Sequence, residues 1–399
     1  MSEMKSSSGF SRLPRDWRLT PEALEQRWAC LQQNSQNQVL QQALLSTSDD
    51  SALDCYQKNI ENFIGVAKVP IGVAGPLRVQ GAFAQGDYWM PLATTEAALV
   101  ASYHRGAQLI TRSGGAQALL LSEGVSRAPG FVFETLRQAG QFGTWALEQM
   151  DYFKAETAKT TRYGQLQEMH ISLEGNHVYL RFTFTTGDAA GQNMVTLATA
   201  QICQWICAHS PVAPKYHFIE ANFSGDKKAS AQSFQTVRGK KVSAEVCVPA
   251  RLVRRFLHTT PERMTDYWRM SSMGGVLSGT IGVQGHYANG LAALFLACGQ
   301  DVACVAEAAV GVTRFELTDE GDLYAAVTLP NLIMGSVGGG TGLPTQQACL
   351  QLMGLAGEHK ARALAEVTAA LLLAGELSII GALCAGHFAR AHQSLARGR

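Results

Sequence analysis

The chain has 399 residues, enough for two or three domains with a sizeable core. Apolar residues make up 46%, charged residues only 16%, and the formal net charge of +1 excludes a broadly basic surface of the kind that binds nucleic acid or an anionic membrane. Nine scattered cysteines without a Cys-x-x-Cys pair indicate reduced thiols, so we expect a cytoplasmic protein without a metal site.

The N-terminal part of the chain carries a helical pattern. Apolar side chains recur near helical spacing between residues 19 and 52, and Thr20-Pro21 suits an N-cap and a first helical turn. We therefore predict a small helical segment over residues 1–58. Further along, Thr94-Thr95-Glu96 is expected to open a helix that runs to about Arg112, with Glu96 in its first turn.

The middle third of the chain has the element order of a ferredoxin-like domain. The pattern predicts a strand at 131–134, a helix at 136–158, strands at 170–173 and 178–184, a helix at 189–209 and a strand at 217–220. This β-α-β-β-α-β order is that of a split βαβ unit. We predict that residues 129–222 are inserted into a larger, helix-rich domain formed by residues 59–128 and 223–399. The expected fold class is α+β.

Two apolar stretches after the insert are predicted to be buried helices. Residues 289–301 are apolar on all sides until Gly299 and a lone carboxylate, Asp301, which we expect at the buried end of the helix. A carboxylate there is costly unless a cation meets it. Residues 367–385 are long enough to span a membrane, but Glu376 in their middle favours a buried core helix.

Two glycine-rich segments precede helices and offer backbone N–H groups to a phosphate. Residues 335–347 and 187–194 match neither the Rossmann fingerprint nor the P-loop, so a tight turn is the alternative interpretation of the first. Thr161-Arg162 supplies a cation of the kind that a 2′-phosphate needs.

Charged and titratable side chains elsewhere allow two interpretations. The run Asp226-Lys227-Lys228 has the pattern of a solvated loop, but a lysine near Glu96 and Asp301 would supply the missing cation. Near the C-terminus, His387 and His392 are either exposed or able to donate a proton from a mobile segment.

Six separated motifs point to one known family. They are Glu61-Asn-Phe-Ile-Gly with Val69-Pro-Ile-Gly-Val-Ala-Gly-Pro-Leu77, Thr94-Thr-Glu96, Asp188-Ala-Ala-Gly-Gln-Asn-Met194, Asp226-Lys-Lys228, Ala297-Cys-Gly-Gln-Asp301 and Gly338-Gly-Gly-Thr-Gly-Leu-Pro-Thr-Gln-Gln347. Together and in this order they resemble 3-hydroxy-3-methylglutaryl-CoA (HMG-CoA) reductase, over residues from about 59 to 391. The resemblance is closer to the biosynthetic, NADPH-using class.

The resemblance implies NADPH-dependent reduction of HMG-CoA to mevalonate and CoA. Its catalytic set corresponds to Glu96, Lys227, Asp301 and His392, and His392 is preferred to His387 because it follows Arg390-Ala391. We expect Lys227, held between Glu96 and Asp301, to stabilise the oxyanion that each hydride transfer creates. Glu96 would donate a proton to the aldehyde oxygen, and His392 would protonate the departing CoA thiolate.

Binding roles also follow from the resemblance. It implies contacts to the substrate from Arg127, Lys228 and the position of Glu220, and contacts to CoA from Ser102 and Arg105. Asn289, also placed in the substrate site, is expected to position Glu96 and Lys227. The residues expected to face NADPH are Thr161, Arg162, Asp188, Ala189, Gly191, Gln192, Asn193, Met194, Gly338 and Gly339. The family places its active site at a subunit interface, so a homodimer or a larger homo-oligomer is implied.

Three departures from the family pattern bear on the substrate. Glu220 replaces a serine that contacts the substrate carboxylate, which is unfavourable unless its side chain turns away or is protonated. Gln192 replaces a methionine in the cofactor motif, and the substrate-binding lysine has no clear counterpart, the nearest cation being Arg269. A reductase of another acyl-CoA is therefore the second hypothesis, and a catalytically silent binding subunit is the third.

Overall fold

The computed structural model of the protein describes residues 20–31 and 53–386. The helices are α1 (Pro21–Leu31), α2 (Leu53–Tyr56), α3 (Leu99–Arg112), α4 (Leu136–Leu147), α5 (Met150–Ala158), α6 (Gln192–His209), α7 (Ala250–Leu257), α8 (Pro261–Ser278), α9 (Tyr287–Cys298), α10 (Val305–Ala308), α11 (Pro344–Leu352) and α12 (Ala361–Cys384). Short 3₁₀ helices lie at Ala231–Phe234, Val302–Cys304 and Gly339–Gly342.

The strands form one mixed, mostly antiparallel sheet. They are β1 (Ile71–Gly81), β2 (Gln85–Ala93), β3 (Ala116–Arg127), β4 (Gly130–Val132), β5 (Gln165–Glu174), β6 (His177–Thr185), β7 (Tyr216–Phe218), β8 (Gly239–Val248), β9 (Val312–Leu317) and β10 (Leu323–Leu332). The order is β7-β4-β6-β3-β8-β10-β9, with β5 on β6 and β1 joining both β2 and β3. The fold class is α+β, as predicted.

The middle third has the strand order of a ferredoxin-like sheet. Strand β4 pairs antiparallel with both β6 and β7, and β5 pairs antiparallel with β6. The order β7-β4-β6-β5, with two helical crossovers, is that of the predicted split βαβ unit. The proposed boundaries at residues 129 and 222 stay a prediction, because β3 continues this sheet into the rest of the chain through β6 and β8.

Helix α12 lies at the centre of the larger part of the structure. It is the one helix of the described residues that is long and apolar enough to cross a membrane, but 89% of its most apolar stretch is buried inside the protein. The prediction of a core helix is confirmed. Helix α3 crosses it closely, since a Cβ on Gly106 would lie 1.9 Å from the carbonyl oxygen of Ala374.

Several predicted element boundaries were wrong. The helix expected from Thr94 begins at Leu99, after Ala98 with a φ of 71°, so Glu96 lies in a preceding irregular segment and not in the first turn. The helix expected from residue 189 begins at Gln192, because Gly191 has a φ of 84°. The helix predicted over 136–158 is broken into α4 and α5.

Helix α8 was not predicted from the sequence, because residues 274–285 are rich in glycine. Helix α8 continues through Gly274 and Gly275 and ends only at Gly279, whose φ is 74°. Glycine destabilises a helix interior by about 1 kcal/mol relative to alanine. The capped start at Thr260 and Pro261 and the packing of α8 on β9 and α12 outweigh that cost.

Candidate active site

The end of helix α9 places Asp301 for contact with a cation. Gly299 terminates the helix with a φ of 67°, and a Cβ there would lie 2.3 Å from the carbonyl oxygen of Gly340. The turn therefore requires glycine for both its conformation and its contact. Asp301 Oδ1 accepts a hydrogen bond from the Ala303 amide at 3.0 Å, which fixes the carboxylate and leaves Oδ2 free for another partner.

Lys227 is that partner. Its Nζ lies 3.0 Å from Asp301 Oδ2, with the two side chains 45% and 35% exposed. The hydrogen bond to Asp301 raises the pKa of Lys227, so its ammonium is charged at neutral pH. The expected pairing of these distant residues is present, but the expected burial of Asp301 is wrong, since it lies at an open surface of the cavity described next.

A cavity of about 660 Å³ joins the Lys227–Asp301 pair to both glycine-rich segments. It is lined by Asn59, Ala189, Ala190, Gly191, Gln192, Asn193, Met194, Lys227, Phe295, Leu296, Gly299, Gln300, Asp301, Val302, Gly335, Val337, Gly338, Gly339, Gly340, Thr341, Leu343 and Gln346. The 18-residue helix α6 opens on this cavity with its N-terminus. Free N–H groups and the positive dipole end there suit an anionic group such as a phosphate.

Glu96 lies in a different environment from the one expected. Its carboxylate accepts a hydrogen bond from Asn289 Nδ2 at 2.8 Å, and Asn289 stands near the start of α9. Within the described residues, the ion pair of Lys227 is with Asp301 and does not include Glu96. The expectation that one ammonium is held between two carboxylates is therefore met for Asp301 only. The expected contact of Asn289 with Glu96 is present.

Arg127 and Glu220 contact one another. Arg127 Nη1 lies 3.2 Å from Glu220 Oε2 and 3.2 Å from Asp226 Oδ2, and the arginine side chain is only 8% exposed. The Ala128 amide also donates to Glu220 Oε2, at 3.3 Å. Glu220 therefore turns toward Arg127. Lys228 is exposed, and its Nζ donates to the Asp226 carbonyl at 2.9 Å.

The residues expected to bind the cofactor divide into two groups. Ala189, Gly191, Gln192, Asn193, Met194, Gly338 and Gly339 all line the cavity. Asp188 does not, because its carboxylate accepts from the backbone amides of His359 and Ala361 at 2.8 and 3.2 Å and so fixes the start of α12.

Thr161 and Arg162 lie in a turn beside the cavity. Thr161 Oγ1 accepts from the amides of Tyr163 and Gly164. A Cβ on Gly164 would lie 2.6 Å from the sulfur of Met194, so this turn packs against a residue of the cavity wall. Arg162 itself is exposed. His392 and His387 lie outside the described residues.

Comparisons with known proteins agree with this arrangement. A family model described as hydroxymethylglutaryl-coenzyme A reductase matches residues 23–397. Relatives named 3-hydroxy-3-methylglutaryl-coenzyme A reductase are 44% identical in Methanothermobacter thermautotrophicus, over 86% of each chain, and 43% identical in Pyrococcus horikoshii, over 85% of this chain and 84% of the relative. The chain belongs to the HMG-CoA reductase family.

A solved structure supports the fold of this family member. The class II HMG-CoA reductase of Streptococcus pneumoniae, described as bound to NADPH in open conformations, superposes with a TM-score of 0.68. It shares 19% sequence identity, and the match covers 91% of this chain and 96% of that one. At this identity the likeness concerns the fold.

Ser102 and Arg105, the residues that the resemblance assigned to CoA, meet one residue of the core helix. Ser102 Oγ lies 2.9 Å from Ser378 Oγ, and Arg105 donates to the Ser378 hydroxyl at 3.0 Å and to its carbonyl at 2.7 Å. Sequence reasoning missed Ser378. The available signal was a polar side chain two positions after Glu376 in an otherwise apolar run.

Sequence reasoning also missed Arg238, Glu307 and the partners of Glu376. Arg238 and Glu307 are buried behind Asp226, and Glu376 accepts from the amides of Gly285 and His286 at 2.7 and 2.9 Å. Their signal in the sequence is weak, because a lone charged residue in a mixed segment reads as solvent-exposed. Among the described residues, no group of three or more His, Cys, Asp and Glu side chains is arranged to hold a metal ion.

Proposed function

We propose that this chain catalyses the NADPH-dependent reduction of (S)-HMG-CoA to mevalonate and CoA. The observation that carries the proposal is the Lys227–Asp301 pair, 3.0 Å apart, inside the same cavity as the two glycine-rich segments. An ammonium fixed by a carboxylate is suited to stabilise negative charge on a carbonyl oxygen during reduction. Membership of the HMG-CoA reductase family supports the choice of substrate.

The cavity suits a phosphate-bearing dinucleotide. Gly338 and Gly339 have φ values of 74° and 55°, and a Cβ at either would meet no atom within 4 Å, so their backbone is open to a ligand. In the segment bridged to them through Ala189 and Val337, Gly191 caps α6, and the first turn of that helix presents backbone N–H groups to the same cavity. When bound there, NADPH supplies the hydrides of the two successive reductions. The exposed Arg162, in the turn whose Gly164 packs against Met194, is the proposed partner of its 2′-phosphate.

The catalytic residues act by charge and proton transfer. Lys227 stabilises the oxyanion at the thioester carbon and later at the aldehyde carbon, and Asp301 keeps the ammonium charged and oriented. Glu96, oriented by Asn289, donates a proton to the aldehyde oxygen. His392 protonates the CoA thiolate as it leaves.

Binding of the substrate uses the surfaces next to this pair. We assign Arg127 and Lys228 to the carboxylate of HMG, and Ser102 and Arg105 to CoA. Arg127 already contacts two carboxylates, so Glu220 lowers the positive charge that it offers. A second candidate function follows from this contact, namely reduction of an acyl-CoA without a free carboxylate.

The active enzyme is proposed to be a cytoplasmic homodimer or a larger homo-oligomer. Helix α8 exposes Met270, Met273, Val276 and Leu277 at 77%, 60%, 74% and 81%, an apolar face that a second copy would bury. Glu96 and Lys227 are exposed as well, so a partner subunit would close the site. Measurement of mass in solution by light scattering tests this, and a monomer at all concentrations would contradict it.

Steady-state oxidation of NADPH tests the function. We expect turnover with HMG-CoA, release of CoA, and a stoichiometry of two NADPH for each mevalonate. HMG-CoA is compared with acetyl-CoA and butyryl-CoA under the same conditions. A higher kcat/KM for an acyl-CoA without a carboxylate would favour the second candidate, and no oxidation with any thioester would contradict both.

A further inference from the structure

Glu307 is a buried carboxylate close to the proposed catalytic lysine. It lies in α10, six positions after Asp301, and is 0% exposed. Neither carboxylate oxygen forms a hydrogen bond of regular geometry within residues 20–31 and 53–386. Its cation is Arg238, whose Nε lies 3.5 Å from Glu307 Oε1. A carboxylate in such a place is costly for the fold, so its presence calls for a role other than stability.

Arg238 connects Glu307 to the loop that carries Lys227. The guanidinium is 4% exposed, and its Nη2 pairs with Asp226 Oδ1 while its Nη1 donates to the Ser126 carbonyl at 2.7 Å. Arg127 holds the other oxygen of Asp226. Burial opposes ionisation of Asp226, but Arg238 and Arg127 outweigh burial and lower its pKa. The charges therefore alternate from Glu307 through Arg238 and Asp226 to Arg127.

The backbone at Lys227 needs such a support. Its φ of 56° lies in the left-handed region, which is strained for a residue other than glycine and persists only where the surroundings impose it. The residue before Lys227 is Asp226, which two arginines fix. The backbone N–H of Lys227 is also close enough to Glu307 to influence the pKa of that carboxyl. Asp301 fixes the side chain of Lys227, and the Glu307–Arg238–Asp226 series of ion pairs reaches the residue before it.

We propose that Glu307 is a positioning residue for the reaction. Through Arg238 and Asp226 it holds the loop so that the Lys227 ammonium stays on Asp301. The inference rests on the proposed function, because it assigns Lys227 to the oxyanion. The two residues that act on Lys227 thus come from one short segment, Asp301–Glu307, at the end of α9.

The competing interpretation is that Glu307 forms a purely structural ion pair. The positioning role and the structural role predict different values of kcat when a neutral side chain of the same shape replaces Glu307. Glu307→Gln keeps the volume and removes the charge, so it releases Arg238 from Glu307. A misplaced catalytic group costs about 10- to 100-fold in rate. We expect a fall in kcat of that size, with the KM for NADPH unchanged, because the glycine-rich segments are not touched. The matched control is Glu156→Gln, which alters a buried carboxylate on α5 that pairs with Lys159 and does not line the cavity.

A second readout does not require activity. Acetic anhydride acetylates free amines, and the pairing of Lys227 with Asp301 slows its reaction. Peptide mass spectrometry gives the acetylation rate of Lys227 relative to the exposed Lys154. We expect this ratio to rise in Glu307→Gln and to keep its wild-type value in Glu156→Gln. If Glu307→Gln does not fold, Glu307→Asp keeps the charge but withdraws it from Arg238, and this variant is scored by the same ratio.

The outcomes separate the inference from the function that it rests on. A folded Glu307→Gln enzyme with wild-type kcat and a wild-type acetylation ratio would overturn the positioning role. Equal losses of kcat in Glu307→Gln and Glu156→Gln would overturn it as well. A wild-type protein that does not oxidise NADPH with HMG-CoA contradicts the proposed function instead, and the acetylation ratio still decides whether Glu307 positions Lys227.

Discussion

The ferredoxin-like unit, formed by strands β4 to β7 and helices α4 to α6, has a core of a different kind from that of the rest of the molecule. The unit has a core of aromatic rings, in which Phe142 packs 5.1 Å from Phe131 and 4.8 Å from Phe133 between ring centroids. Its buried glutamate, Glu156, is 6% exposed and pairs with an exposed lysine. Among the described residues, the glutamates that are 0% exposed, Glu307, Glu366 and Glu376, all lie outside this unit.

These buried carboxylates hold loops in place. Glu366 accepts from the amides of Ala82, Phe83 and Ala84 at 3.2, 2.8 and 2.8 Å, at the turn between β1 and β2. Glu376 accepts from two amides just before α9 and from Thr313 Oγ1 at 2.8 Å. A ring packs without direction, whereas a carboxylate fixes a backbone at one position. The region with the proposed chemistry is therefore the one that uses buried charge.

The largest effect is expected for loss of the ammonium group that stabilises the oxyanion. Lys227→Ala should lower kcat by about 10²–10⁴-fold, because the developing oxyanion loses its cation. Steady-state assays of NADPH oxidation with HMG-CoA measure the loss of kcat. Lys154→Ala, on the exposed surface of the ferredoxin-like unit, serves as the control and should retain full turnover. Wild-type kcat in Lys227→Ala would remove this residue from the mechanism.

Loss of a ring should be the main way to weaken the ferredoxin-like unit. Phe142 is 0% exposed, and Phe142→Ala is expected to lower the free energy of unfolding by about 3–5 kcal/mol through a cavity. Urea unfolding followed by tryptophan fluorescence measures the change. The kcat of the folded fraction should stay near the wild-type value, and a large loss of kcat there would mean that the packing of this unit also determines the geometry of the active site.

Outside the ferredoxin-like unit, loss of a buried charge should lower the free energy of unfolding by a similar amount. Glu366→Gln keeps the shape but turns an amide NH₂ toward backbone donors, so the free energy of unfolding should fall by about 2–4 kcal/mol. Hydrogen exchange at residues 82–84 should accelerate more than exchange in the ferredoxin-like unit. Unchanged exchange at these amides would show that the turn holds without its carboxylate.

Replacing Glu307 by glutamine should raise the free energy of unfolding, whereas Glu366→Gln lowers it. The size of the gain should depend on pH. Burial raises the pKa of Glu307 above 4.5, while Arg238 and the Lys227 amide oppose the rise and Asp226 adds to it. A raised carboxyl pKa gives stability that is complete below 4.5 and is lost as the pH rises through the folded-state pKa.

Glutamine resembles the protonated form, so Glu307→Gln should be more stable than wild type at about pH 8, with a gain that disappears on acidification. Thermal unfolding across this pH range measures it. A loss of stability at alkaline pH would mean that the Arg238 contact outweighs burial. If Glu307→Gln is more stable than wild type and also has a lower kcat, Glu307 serves function and not folding.

The smallest effect is expected for a charge that faces solvent. Arg314 and Glu316 pair at 3.1 Å with side chains that are 49% and 51% exposed. Glu316→Gln should change the free energy of unfolding by less than about 0.5 kcal/mol, because water screens the pair. A larger change in urea unfolding would show that burial alone does not decide which charges matter here.

Local pattern was sufficient for the order of elements within the ferredoxin-like unit and for the two buried helices. The alternation in the ferredoxin-like unit and the apolar runs of α9 and α12 predicted strands, helices and burial, since each regular structure repeats its side chains with a fixed period. Positive φ values changed the boundaries. Ala98 and Gly191 delay helices that capping residues appeared to start earlier, and propensity does not indicate which residue takes a left-handed conformation.

The sequence by itself determined the family, through six short motifs, and the pairing of Lys227 with Asp301 that the family implied. Only the tertiary structure decided that Glu220 contacts Arg127, that Asp188 holds the start of α12, and that Glu96 lies outside the ion pair of Lys227 with Asp301. The reason is physical. Burial of apolar residues is encoded by local period, but the partner of a charge depends on which distant backbone the packed core brings within 3 to 4 Å.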